Sequence, residues 1–76
     1  MASDRKEMLS QIARNIRGLR QRQRMTQAQL ANMLHVTPQA VSKWERGAAV
    51  PDIQMVLLIA MEFGVSTDDL LSKDLA

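Results

Sequence analysis

Residues Thr26–Gly47, TQAQLANMLHVTPQAVSKWERG, encode two short helices and a very tight joint between them. Thr26 stands three residues before Gln29, the spacing of a capping box, in which the hydroxyl accepts one orphan amide and the glutamine side chain returns to the cap amide. A helix therefore starts near Gln27, with Leu30, Ala31 and Leu34 on its apolar face. It stops around His35, a residue type enriched in left-handed backbone. Thr37 and Pro38 open the next helix, the hydroxyl as cap and the proline at the first helical position, where its missing amide costs nothing. That helix runs to about Arg46, and Gly47 ends it.

Only His35, Val36 and Thr37 lie between these helices, so the chain must turn sharply, which is the helix-turn-helix arrangement. Upstream, Met8, Ile12, Ile16 and Leu19 recur at helical intervals on one face of a first helix of about residues 5–23. Downstream, Pro51 and Asp52 open a fourth helix whose expected inward face is Ile53, Val56, Leu57, Ala60 and Phe63, ending at Gly64. Ser66 or Thr67 caps a short fifth helix, Asp68 to about Ser72. No stretch alternates apolar and polar residues over a strand's length, so the expected class is all-α, a single domain over residues 1–76.

Composition narrows the chemistry. The 76 residues are 46% hydrophobic and 24% charged, ordinary values for a folded globular chain. The longest apolar run, Met55–Met61, is far short of the roughly 20 residues of a spanning helix, so no membrane association and a cytoplasmic location are expected. Absence of cysteine removes disulfides, thiolate metal sites and thiol nucleophiles, and a lone His35 leaves no multi-histidine site. No metal, no cofactor and no catalytic constellation is expected, hence no enzyme. Residues 1–50 carry nine Lys or Arg against three acids, whereas residues 51–76 carry one Lys against five acids. Such asymmetry suits a basic half facing a polyanion, although a solvated basic helix surface would look the same.

Thr26–Gly47, with IRGLRQ before it and PDIQMVLLIAMEFGVSTDDLL after it, resembles the phage repressor and Cro type of helix-turn-helix regulator, the XRE family, over about residues 12–72. The likeness rests on small Ala31 at a close helix crossing, on Leu30, Leu34, Val36 and Val41 at fixed offsets, and on Trp44 closing the core. It implies a compact five-helix lambda-repressor-like domain with the helix-turn-helix at helices 2 and 3. Two positions depart from the family pattern. His35 stands where glycine is usual, and Ala48, Ala49 and Val50 replace the basic loop of many relatives, which implies modest DNA affinity.

By the same resemblance, the third helix lies in the major groove of double-stranded DNA with Pro38, Gln39, Ser42 and Lys43 at base-contacting positions. The chemistry agrees for two of them: glutamine pairs bidentately with adenine, and lysine donates to guanine O6 and N7. Gln27 and Arg46 correspond to phosphate positions, and Arg22 and Arg24 are plausible phosphate neighbours; Arg14 and Arg17 have the simpler reading of solvated residues. Arg20 and Glu45 stand where the family places a structural ion pair between the first and third helices.

One recognition helix reads too few base pairs to select a genomic site, so a homodimer on a palindrome is expected. Met55, Leu58 and Met61, extended by Leu70, Leu71 and Leu75, form a candidate dimer surface; the equal alternative is a broader core filled by the fifth helix. The function expected is that of a transcriptional repressor. A rival of another class is a protein-interaction module of the same fold, an antitoxin or adaptor, whose main partner is a protein.

Overall fold

A computed structural model describes residues 2–75. Its helices are α1 (Ala2–Arg22), α2 (Gln27–Leu34), α3 (Pro38–Glu45), α4 (Ile53–Phe63) and α5 (Thr67–Ser72), with no strand among the described residues. Each N-terminus from α2 onward is capped by the side chain that precedes it. Thr26 and Gln29 complete the reciprocal capping box, Thr37 accepts from the Ala40 amide, Asp52 from Met55 and Ser66 from Asp69. Of the two cap candidates for α5, Ser66 holds the position and Thr67 is the first helical residue.

The C-termini of α1 to α4 share one device. Arg24, His35, Gly47 and Gly64 all have positive φ, near 56°, 60°, 72° and 66°. In each case the following amide reaches back to a carbonyl one turn up: Met25 to Arg20, Val36 to Ala31, Ala48 to Lys43 and Val65 to Ala60, at 2.9–3.2 Å. This is the 6→1 bond of a Schellman stop. Glycine does this without Cβ strain, whereas Arg24 and His35 carry the left-handed penalty of roughly 1 kcal/mol.

Ile12, Ile16 and Leu19 of α1 meet Leu30, Ala31 and Leu34 of α2, Val41 and Trp44 of α3, Val56, Ile59 and Ala60 of α4 and Leu70 of α5 in one core. α1 packs mainly on α5 and α3, α2 on α3, and α4 on α5 and α2. Two expectations about helix faces need correction. Met8 is exposed and lines only a shallow groove with Leu71, because α1, roughly 31 Å long, nearly spans the molecule's 35 Å axis and its first turns have little to pack against. On α4 the core side is Val56, Ile59 and Ala60, while Ile53 and Leu57 point outward. Because α4 is apolar on both sides, composition alone does not set its rotation; Pro51, buried just before the helix, and the packing on α5 and α2 do.

Asn15, fully buried among these apolar side chains, ties the C-terminal segment to α1. Its Nδ2 donates to the carbonyls of Leu70 (2.8 Å) and Lys73 (2.7 Å), and its Oδ1 accepts from the Leu75 amide (2.9 Å) and from Gln11 Nε2 (3.1 Å). A buried amide is stable here because both its donors and its acceptor are used.

Two substitutions test this account. Asn15→Ala should lose about 1–3 kcal/mol in denaturant unfolding and release the Leu75 amide to hydrogen exchange, since it orphans the carbonyls and amide now joined to the side chain. His35→Gly should gain about 0.5–1 kcal/mol by removing a left-handed Cβ, with no change in the fold.

Candidate nucleic-acid interface

The site is assembled around one carboxylate. Glu45, in the last turn of α3, accepts from Arg20 Nε at its Oε2 (2.7 Å) and from Arg20 Nη2 at its Oε1 (3.0 Å), a bidentate fork. The same Oε1 accepts from Gln27 Nε2 at 3.1 Å. Arg20 Nη1 donates to the Met25 carbonyl at 2.7 Å, in the turn between α1 and α2. One cluster thus joins the end of α1, the α1–α2 turn, the start of α2 and the end of α3. With side-chain exposures of 13% and 3%, Arg20 and Glu45 are largely withdrawn from water.

This anchorage, with Val41 and Trp44 in the core, sets the rotation of α3. Pro38, Gln39, Lys43 and Arg46 are left exposed on its outer side. Ser42 lies half-buried between them, and its hydroxyl oxygen accepts from Arg46 Nε at 3.4 Å, which draws that guanidinium along the helix. The uncovered row therefore presents an amide, an ammonium and a guanidinium, all able to donate to nucleic acid.

The comparison with known families accords with this geometry: residues 16–70 match the helix-turn-helix family model. The chain belongs to the XRE-type helix-turn-helix family. Among curated proteins, it is similar to the HTH-type transcriptional activator BcrR of Enterococcus faecalis, with 41% identity over 56 residues. The match covers 74% of this chain and 28% of that relative, so the chain spans only a little over a quarter of the relative's length. No solved structure matches at a significant level.

Within the XRE-type frame, the residues singled out by sequence separate into groups. Pro38, Gln39, Lys43 and Arg46 share the outer side of α3, with Ser42 beside them. Gln27 is half-buried and already committed to Glu45, although its side-chain nitrogen keeps a second N–H. Arg24 is exposed at the left-handed turn just before α2. Arg22 does not join them: its Nη2 donates to the Leu75 carbonyl, on the α5 side of α1. Two residues on from Arg20, it sits roughly 200° around the helix from the side that faces α3.

The candidate dimer surface changes most. Leu70 is fully buried and contributes nothing to an outer face. Met55, Leu71 and Leu75 are half-buried against the core, which leaves only Leu58 and Met61 of the proposed set as exposed large apolar residues. Asn15 and the Gln27–Glu45 bond were not foreseen, because both depend on partners distant in sequence. The local hint for Asn15 is a polar residue on an apolar helical face, one turn from both Ile12 and Leu19.

No helix among the described residues is long and apolar enough to cross a membrane.

Removing one partner of the central pair while leaving the other buried should destabilise strongly. Arg20→Met is expected to lose about 3 kcal/mol in urea unfolding, and Arg20→Met combined with Glu45→Met to recover most of it, since no uncompensated charge then remains.

Proposed function

We propose that this protein is a sequence-specific double-stranded DNA-binding transcriptional regulator that inserts α3 into the major groove and acts as a homodimer on a palindromic site. The observation that carries the reading is the outer side of α3, on which Pro38, Gln39, Lys43 and Arg46 are exposed while Val41, Trp44 and Glu45 hold the inner side. A helix of this size fits the major groove, where Gln39 pairs with adenine and Lys43 with guanine, and Pro38 touches a thymine methyl. Ser42 is the fourth base-side group. Arg46, Arg24 and the second N–H of Gln27 serve phosphates, joined by the free amides at the start of α2. Membership of the XRE-type family and the likeness to a named transcriptional activator support the regulatory role.

Repression is the proposed outcome, because occupancy of a promoter by the domain alone suffices for it. Activation is favoured by one observation, the name of the curated relative. A reporter with the selected site placed across or upstream of the promoter separates the two signs. The rival reading, an adaptor that serves mainly a protein partner, draws on the exposed apolar residues of α4; retention of no duplex in an electrophoretic shift at low salt would favour it.

Selection of bound duplexes from a random pool should return an inverted repeat. On that site Gln39→Ala should lose about 1–3 kcal/mol and relax preference at one base pair per half-site. Lys43→Met should do the same at a neighbouring pair. Affinity should fall steeply with salt, and Arg46→Met should lower the slope of log K against log salt by about 1 per half-site. A mutant series with unchanged base preference removes Gln39 and Lys43 from the reading surface.

A further inference from the structure

From Met8 to Pro51 the chain carries a single acid, Glu45, and that carboxylate is buried and taken up by Arg20 and Gln27. The exposed cations of this stretch therefore have no counter-charge near them in sequence. Among the described residues the ion pairs are Arg20–Glu45 and Lys73–Asp69, and neither engages an exposed cation of the stretch. Three such cations stand around the buried pair: Arg17 one turn before Arg20 on α1, Arg24 four residues after it in the turn to α2, and Arg46 directly after Glu45. A pair that neutralises itself inside the fold leaves this rim positive.

The rotation of α1 fixes the side on which Arg17 lies. Ala13 and Arg20, seven residues apart, share one side of the helix, and both are covered: Ala13 is buried, and Arg20 is drawn to Glu45 of α3. Arg17 comes four residues after Ala13 and three before Arg20, yet it is exposed, so it stands at the edge of the contact between α1 and α3. Asn15 and Arg22 hold the opposite flank of α1, against the C-terminal segment.

We propose that Arg17 is a phosphate-contacting residue, whose guanidinium binds the DNA backbone beside the phosphate served by Gln27 and which completes, with Arg24 and Arg46, an arginine rim around the Arg20–Glu45 pair. The inference rests on the DNA-binding reading above and gives α1 a contact that neither the outer row of α3 nor the start of α2 supplies. Arginine suits the role, since its planar fork donates two hydrogen bonds to one phosphate and stays charged at any working pH. Its place on the helix argues against a merely solvated side chain. The residues one turn away are Ala13, Arg14, Arg20 and Gln21, two like charges and no acid, an arrangement that opposes helix stability and that a bound anion relieves. The region after α3 shows what such a contact makes up for: Ala48, Ala49 and Val50 are exposed, and none can donate from its side chain.

Fluorescence anisotropy on the selected duplex, titrated at several salt concentrations, tests the assignment. Arg17→Met is set against Arg5→Met, which removes the same charge from an exposed position about 18 Å away along α1, beyond the Debye length of roughly 8 Å at physiological ionic strength. Arg17→Met should weaken binding about three- to tenfold per bound copy and lower the slope of log K against log salt by about 1, alike on the selected site and on unrelated duplexes and with base preference unchanged. Arg17→Lys, which keeps the charge, should recover most of the slope. Arg5→Met should change neither quantity. Urea unfolding separates a structural role: an Arg17→Met midpoint lowered together with an altered base preference overturns the contact. Equal affinities and slopes for Arg17→Met and Arg5→Met overturn it too, and leave the DNA reading in place. Unmodified protein that retains no duplex at low salt overturns the DNA reading itself, and the contact with it.

Discussion

The Glu45 carboxylate is the point at which the first three helices are tied. It accepts three hydrogen bonds, two from Arg20 and one from Gln27, and Arg20 passes a further one to the Met25 carbonyl. A carboxylate so far from water is tolerated because every donor around it is charged or held in place; an unpaired one would be expelled. The consequence is geometric more than energetic. α3 has only eight residues and could roll about its axis if Val41 and Trp44 alone held it, since apolar contacts carry little directional preference. Bidentate bonds do carry direction, so they hold the angle at which Gln39 and Lys43 face outward.

The same cluster gives Gln27 two demands to meet. It stands at the first turn of α2, where amides without helical partners favour an anion, yet its side chain is already joined to Glu45. On the proposed reading, a phosphate arriving there would meet an amide group already oriented by a carboxylate, which loses less rotamer freedom on binding than a free glutamine does. Ser42 likewise holds the Arg46 guanidinium along α3. Ala48, Ala49 and Val50 after Gly47 offer no charged donor, so on the proposed reading the pre-oriented groups carry more of the phosphate contact.

Most of the fold was legible because local chemistry and helical periodicity agree along the chain. Thr26, Thr37, Asp52 and Ser66 act as caps where turn residues precede apolar runs, and Gly47 and Gly64 mark stops. A cap involves residues three apart and needs no tertiary knowledge. Arg24 as a left-handed stop was not legible, since arginine has no local preference for that conformation, and only the Arg20 bond to the Met25 carbonyl in the same turn makes sense of it. The rotation of α4 was not legible either. Its sequence IQMVLLIAMEF offers apolar residues all round, so 3.6-residue periodicity fits two different inward faces, and tertiary packing decides between them. On α3, by contrast, polar residues leave one apolar side, and its outer row could be read from sequence.

That difference between α3 and α4 bears on how the molecule divides its surface. Residues 1–50 carry nearly all of the positive charge, residues 51–76 most of the acids, and the division falls between α3 and α4. On the proposed DNA-binding reading, a duplex is drawn to the first part and repelled from the second, so electrostatics turns its approach toward α2 and α3.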